Sequence, residues 1–107
     1  MERARTKSGG KLKTNQDGIP HILPEDPQTG LYITGDNQNS FAGVTVLQEL
    51  FLKEHNYVAD QMSKRYPDMS DEDIFNAARL VIAALVAKVH TADWTVSYSI
   101  INILLFC

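Results

Sequence analysis

The sequence predicts a mainly α-helical fold in which two main helices follow a long N-terminal loop. Three observations predict it. Glycines and prolines punctuate residues 1–39, apolar residues then recur every three or four positions, and a capped, strongly apolar stretch begins at Ser70. With 107 residues the chain is at most one domain, and its content of 44% hydrophobic and 21% charged residues is that of a soluble globular protein.

Residues 1–39 are predicted to form an extended polar loop, because residues such as Pro20 and Gly30 break helices and interrupt strand ladders. The apolar clusters at 22–23 and 31–33 indicate that this loop lies on another surface. We expect the basic cluster at its start to be solvated and mobile, and not a secretory signal, because no apolar region follows it. Its members are Arg3, Arg5, Lys7, Lys11 and Lys13.

The first helix is predicted over residues 40–64, where Val44, Leu47 and Phe51 recur at the helical period. His55 lies four residues after Phe51 and therefore belongs to the same apolar face. We expect a packed histidine that bonds to backbone elsewhere in the chain. A haem or metal ligand or a general base is the alternative, and the lack of a second histidine or cysteine one turn away argues against a metal site.

The second helix is predicted to begin at Ser70, because its hydroxyl can cap the helix and three acids follow in the first turn. The spacing from Ser70 to Asp73 resembles a capping box. The apolar surface behind this cap is wider than a two-helix hairpin could cover, which predicts a fragment of a larger helical protein. We expect the helix to end at about residues 90–94. Residues 97–107 form an uncharged apolar tail whose conformation the sequence leaves open.

Composition argues against several classes of protein. The net charge of -3 argues against a nucleic-acid-binding domain. The single cysteine, Cys107, excludes an internal disulfide framework and favours a reducing, intracellular compartment. We expect no transmembrane segment, because Arg79 and Lys88 interrupt the longest apolar run, whereas peripheral association with a membrane stays compatible with the sequence.

His90 and Thr95 are the candidate binding residues. An imidazole and a hydroxyl can both donate to a buried carboxylate, which requires such donors. Five residues on an ideal α-helix separate two side chains by about 140°. We therefore expect the two to converge only if the helix ends or bends near Trp94. The alternative is a hydrogen-bonded core histidine at position 90.

A second candidate site begins at residue 35. Residues 35–40 start like a calcium loop, with oxygen-bearing side chains at alternate positions. Phe41 and Leu47 stand where such a loop needs its glycine and its bidentate glutamate, so a turn that caps the first helix is the better interpretation. Elsewhere the sequence shows no catalytic motif.

The order of these segments resembles the animal-type haem peroxidase superfamily. Within it, residues 82–96, with their His-Thr-Ala-Asp-Trp-Thr sequence, look most like the fatty-acid alpha-dioxygenases of plants and related microbial enzymes. The resemblance covers residues 3–96. The other matching segments are 35–40, 47–56 with its Lys-Glu-His-Asn element, 66–73 and 78–81.

The resemblance implies an internal fragment of a large helical haem peroxidase domain, with residues 40–96 as a two-helix piece of it. The implied activity is haem-dependent addition of dioxygen at the alpha carbon of a fatty acid, which gives a 2-hydroperoxy acid by a tyrosyl-radical mechanism. In such enzymes the histidine and threonine that match His90 and Thr95 hold the substrate carboxylate, helped by a distant arginine. Haem b is the implied cofactor of the full-length family, and calcium is compatible with it.

The sequence also departs from the family pattern. Gln38 stands where the mammalian branch has an arginine that assists peroxide cleavage, which argues against ordinary peroxidase chemistry. The haem ligands, radical tyrosine and carboxylate arginine belong to parts of the family that this chain does not match. We therefore expect the chain alone to bind no cofactor and to be inactive. After Val96 the family continues as a charged helical segment, whereas this chain has the apolar tail at 97–107, which indicates a truncated gene product or a wrong exon boundary.

Two alternatives remain from the sequence. One is another haem peroxidase or oxygenase of the same superfamily that acts on a different substrate. The other is a non-catalytic helical module that binds a partner through its apolar faces.

Overall fold

The computed structural model describes residues 5–6, 8–15, 23–33 and 41–106, with side chains up to residue 101. These residues are mainly helical, as the sequence predicts, and their β-structure is confined to isolated bridges. The helical elements in chain order are α1 (Ala42–Arg65), α2 (Asp71–Lys88), a π-helical segment at Val89–Thr95, which we call the π-segment, and α3 (Val96–Phe106).

Helix α1 lies within two residues of its predicted bounds. It begins after Phe41, whose backbone is extended and whose side chain makes no capping hydrogen bond. Lys64 and Arg65 occupy its last turn, where cations favour the negative end of the helix dipole. The calcium-loop and capping-turn interpretations of residues 35–40 fall outside the described residues.

Helix α2 begins where its capping sequence predicts. The Ser70 hydroxyl oxygen accepts from the Asp73 backbone N–H at 3.2 Å, and the same hydroxyl donates to Asp73 Oδ2 at 2.7 Å. This reciprocal pair is a variant of the capping box, because the acid binds the serine hydroxyl and not its backbone N–H. The cap is confirmed.

The predicted end of this helix at residues 90–94 is wrong. Helix α2 passes through the π-segment directly into α3, so that residues 97–106 of the apolar tail are helical. One consequence is that the helix Asp71–Ile101 is long and apolar enough to cross a membrane by length and composition. The expectation that Arg79 and Lys88 leave no apolar stretch long enough to cross a membrane is therefore corrected.

Helices α1 and α2 pack on each other around a small core. Its buried centre consists of Ala59, Ile74 and Ala78. Because two of these three are alanines, the helix backbones can approach closely, but little apolar area is buried. Partly buried side chains extend this core, namely Val58, Met62 and Met69.

Large apolar side chains lie exposed along α2, the π-segment and α3. Leu80 and Trp94 expose 66% and 67% of their surface. Val86 and Val89, which lie between them in the sequence, are also exposed. This distribution agrees with the prediction that the second helix needs neighbours on several sides.

The N-terminal segment forms two tight turns that lie on α1 and α2. An isolated bridge joins Arg5 to Leu12, and the intervening Gly9 and Gly10 both have φ near +60°. A second bridge joins Glu25 to Tyr32. Leu23, in the adjoining segment, is buried, in agreement with the prediction that this loop lies on another surface.

Candidate functional site

The π-segment places the candidate residues His90 and Thr95 one helical turn apart. A π-helix bonds residue i to residue i+5, so two residues five apart are neighbours along the axis. The Thr95 hydroxyl donates to the His90 carbonyl oxygen at 2.7 Å, which shows this proximity directly. The helix thus brings positions 90 and 95 together without ending at Trp94, by a wider turn that the sequence did not indicate.

Both side chains are exposed in this chain. The Thr95 hydroxyl proton is engaged by the His90 carbonyl, so the hydroxyl must rotate before it can donate to an acid. Because neither group is buried here, the core-histidine alternative for His90 receives no support from the described contacts.

His55 holds the N-terminal segment against the helices. Its side chain is 4% exposed, its Nε2 lies 2.9 Å from the carbonyl oxygen of Gly10, and its ring centroid lies 5.4 Å from that of Phe75. A carbonyl only accepts, so Nε2 carries the proton and has no lone pair for a metal. The prediction of a packed histidine that bonds to distant backbone is confirmed.

Asn56, the next residue, binds the same segment through both halves of its amide. Its Oδ1 accepts from the Leu12 backbone N–H at 2.8 Å, and its Nδ2 donates to the Leu12 carbonyl oxygen at 3.0 Å. The His-Asn pair of the Lys-Glu-His-Asn element therefore acts as a clamp on the backbone of residues 10–12. The sequence marked this element as a family signature and gave no physical reason for it.

The acids at the start of α2 bind the other side of the segment. Asp71 Oδ1 accepts from the Gly10 backbone N–H at 2.6 Å. Arg5 pairs with Asp71 Oδ2 at 3.1 Å and with Glu72 Oε2 at 2.7 Å, and its guanidinium carbon lies 3.9 Å from the centroid of the Phe75 ring. The hydrogen bond and charge of Glu72, together with Asp71, raise the pKa of Arg5 above its ordinary value.

The expectation of a solvated, mobile basic terminus is therefore wrong for two of its members. The Arg5 side chain is only 13% exposed, because it lies over Phe75 between two carboxylates. Lys11 Nζ lies 2.6 Å from Asp60 Oδ1 on α1. Charge patterning alone missed both pairings, since each partner is distant in sequence.

An apolar cavity of about 440 Å³ lies between the N-terminal segment and the two helices. Its walls come from loop residues such as Leu23 and Ile33 and from helix residues such as Phe51 and Ile82. Gln48 also lines it, with a buried Oε1 that has no hydrogen-bond partner. His90 and Thr95 do not line this cavity, so the candidate binding pair and the cavity are separate features.

Two histidines lie among the described residues. Of the two described histidines, His55 is committed to Gly10 through Nε2, and His90 lies exposed on the π-segment. Within the same residues, no three side chains of histidine, cysteine, aspartate or glutamate are grouped to hold a metal ion. His21 lies outside the described ranges.

Comparison with known proteins gives the family. The sequence matches animal haem peroxidase over residues 1–100. The chain belongs to the animal haem peroxidase family. It is similar to alpha-dioxygenase 2 of Arabidopsis thaliana, at 50% identity over 96 residues, which are 90% of this chain and 15% of that protein. The chain thus spans about 15% of the length of such a relative.

Solved structures place this peroxidase fragment in the same fold. The crystal structure of a variant fatty acid alpha-dioxygenase from Oryza sativa with palmitic acid superposes with a TM-score of 0.79, at 46% identity over 89% of this chain and 15% of that one. Peroxidase A of Dictyostelium discoideum superposes at 0.71 over 82% of this chain and 20% of that one, with 23% identity, and so shows the fold alone. The implied fragment of a larger helical haem peroxidase domain is confirmed.

Proposed function

We propose that this chain is part of a haem-dependent fatty-acid alpha-dioxygenase, which adds dioxygen at the alpha carbon of a fatty acid to give a 2-hydroperoxy acid. The observation that carries the proposal is the identity of 46–50% to fatty acid alpha-dioxygenases along about nine-tenths of the chain. One of those proteins was crystallised with palmitic acid. A peroxidase of the same fold is only 23% identical.

We assign to this chain the binding of the substrate carboxylate by His90 and Thr95. The widened turn of the π-segment supports this role, because it puts the two positions within reach of one anion. When acid binds, the Thr95 hydroxyl turns from the His90 carbonyl towards a carboxylate oxygen, and the imidazole donates its N–H to the acid. The rest of the protein must cover the pair, because charge-assisted hydrogen bonds strengthen when water is excluded.

Haem supplies the oxidising chemistry in the full-length family, and we assign no haem ligand to this chain. The commitment of His55 to Gly10 supports that choice, since its Nε2 is a donor. Calcium is compatible with the full-length family, and we assign no calcium ligand to this chain. The part of the reaction that these residues carry is the holding of the acid.

The test is made in a full-length alpha-dioxygenase that carries this segment. Thr95→Val removes the hydroxyl and keeps the shape of the side chain. The loss of a hydrogen bond to a charged group costs about 1.5–3 kcal/mol, so we expect KM for palmitate to rise roughly 10- to 100-fold. Thr91→Val, the same change in the same segment, is the matched control and leaves KM unchanged. Equal KM values for both variants would refute the assignment.

A different substrate within the superfamily is the first alternative, and the same pair of variants distinguishes it. In that case fatty-acid binding is insensitive to both substitutions. The second alternative, a non-catalytic helical module, is favoured by the exposed apolar side chains of α2 and α3. Titration of the purified chain with haem addresses it, because a stable Soret band with a defined ligand would contradict the view that the ligands lie elsewhere.

Peripheral association with a membrane is a further proposal. Its support is the helix Asp71–Ile101, which is long and apolar enough to cross a membrane by length and composition. Helices in the interior of large domains have the same apolar composition, so the proposal depends on where the apolar side chains lie.

A further inference from the structure

We propose that the apolar cavity between the N-terminal segment and helices α1 and α2 holds the methyl end of the fatty acid whose carboxylate His90 and Thr95 bind. The inference rests on the proposed function and adds to it the element that selects the length of the acyl chain. Ile82, which lines the cavity on the α2 side, is the residue to which we assign this selection.

One face of α2 leads from the carboxylate site to the cavity. Ile82, Val86 and His90 follow one another at intervals of four residues, and residues four apart lie on the same side of a helix. Ile82 belongs to the wall of the cavity, whereas Val86 is 42% exposed and leaves the surface between the two sites accessible. An acyl chain that starts at His90 and follows this face therefore contacts apolar side chains and reaches the cavity.

The spacing along the helix matches the length of a fatty acid. Ile82 precedes His90 by eight residues, which is about 12 Å at a rise of about 1.5 Å per residue. Carbon–carbon bonds of about 1.5 Å at a bond angle of about 111° advance an extended acyl chain by about 1.25 Å per carbon. About ten carbons therefore span the interval, so that roughly six carbons of a sixteen-carbon acid enter the cavity and a ten-carbon acid ends at its edge.

The cavity suits a hydrocarbon chain in size and in chemistry. Its volume of about 440 Å³ lies within the range of about 300–1,000 Å³ that is typical of ligand pockets. Lys13 and Arg79, the charged residues of its described wall, are both exposed, so the interior surface is formed by apolar groups. Gln48 Oε1 is shielded from solvent before any ligand enters, and an acyl chain therefore adds little desolvation cost at that atom.

The opposite direction along the helix offers an acyl chain less cover. Beyond Thr95 the protein continues as α3, a single helix on which Tyr98 and Ile101 are more than half exposed. One helix face covers an acyl chain on one side only. The cavity has walls from the N-terminal segment and from two helices, so it surrounds the chain on several sides and buries more apolar area.

The experiment compares two lengths of fatty acid in a full-length alpha-dioxygenase that carries this segment. The readout is the ratio of KM for palmitate to KM for the ten-carbon decanoate, because this ratio does not depend on the fraction of enzyme that is folded. Ile82→Trp fills the cavity, and each methylene that loses its apolar surroundings weakens binding roughly fourfold. We expect the ratio to rise at least tenfold, since only palmitate reaches the cavity.

A second variant at the same position makes the opposite change. Ile82→Ala enlarges the cavity, so that a twenty-carbon acid gains buried methylenes that the parent enzyme leaves uncovered. We expect KM for this longer acid to fall relative to KM for palmitate by a factor of about four or more, the effect of at least one additional buried methylene. This result decides the question if Ile82→Trp does not fold.

Leu80→Trp is the matched control. Leu80 lies two residues from Ile82, hence about 200° away around α2, and it does not line the cavity. The same new side chain at this position leaves the ratio of the two KM values unchanged. Dissociation constants measured by calorimetry in the absence of oxygen show the same ratios, because the selection occurs on binding and not in the chemical steps.

Three results would overturn the inference. The first is an unchanged ratio in Ile82→Trp, the second is an equal rise in Leu80→Trp, and the third is an unchanged length preference in Ile82→Ala. The proposed function fails in a different way, because Thr95→Val removes a bond to the carboxylate and raises KM for palmitate and decanoate by the same factor. Carboxylate binding by Thr95 therefore stands or falls whatever the variants of Ile82 show.

Discussion

Gly10→Ala tests whether the N-terminal segment is held against α2 as closely as its hydrogen bonds indicate. Gly10 has φ of +65°, and a Cβ built there would lie 2.6 Å from both the backbone nitrogen of Phe75 and Cγ2 of Ile74. An L-residue in the left-handed region costs roughly 1–2 kcal/mol, and overpacking costs roughly 1–3 kcal/mol more. We expect a loss of about 2–5 kcal/mol in the free energy of unfolding.

Gly9→Ala is the matched control for this substitution. Gly9 has nearly the same φ, +60°, but a Cβ there meets nothing within 4 Å, so that only the backbone cost of roughly 1–2 kcal/mol applies. The difference between the two variants isolates the close approach to α2. It is measured by urea unfolding followed by circular dichroism at 222 nm.

A variant too unstable to give an unfolding curve still yields a result by limited trypsin digestion. Cleavage after Arg5 and Lys11 becomes faster in Gly10→Ala than in Gly9→Ala if the segment is released from the helices. The reasoning fails if the two variants unfold within about 0.5 kcal/mol of each other and are cleaved at the same rate.

Two further substitutions test the clamp and the cap. Asn56→Ala removes both bonds to the Leu12 backbone and lowers the free energy of unfolding by about 1–3 kcal/mol. Asn76→Ala is the control, because it loses one exposed bond to Glu72 and changes the free energy of unfolding by less than about 0.5 kcal/mol. Equal effects of the two variants in urea unfolding would contradict the clamp. Ser70→Ala costs about 1 kcal/mol in thermal unfolding and Ser70→Asp restores most of it, so an unchanged Ser70→Ala protein would exclude the cap.

The sequence predicted the parts of this fold that depend on local signals. The apolar period of α1 and the capping serine of α2 act within a few residues, and both gave boundaries close to those observed. His55 was correctly placed on the buried face for the same reason, since helical spacing from Phe51 determines its direction.

The features that the sequence did not predict depend on contacts between residues distant in sequence, or on helix geometry that no residue type marks. Arg5 and its carboxylates are separated by 66 and 67 positions, so no spacing rule connects them. The π-segment has no residue-type signature, and the sequence therefore indicated an ending near Trp94 where the helix continues. For the candidate site, the sequence predicted that His90 and Thr95 converge only if the helix ends or bends near Trp94, whereas the π-segment places the two positions one turn apart in a helix that continues.

The π-segment has a consequence for how this helix tolerates insertion and deletion. An α-helix turns by about 100° per residue. A turn closed by an i→i+5 hydrogen bond contains one residue more than an α-helical turn. Deleting a single residue between Val89 and Thr95 would let the hydrogen-bond ladder close as a regular α-helix. Residues downstream would then keep nearly their present direction around the axis, because the wider turn already absorbs the extra residue, whereas the same deletion inside α2 would turn α3 by about 100° relative to the start of α2.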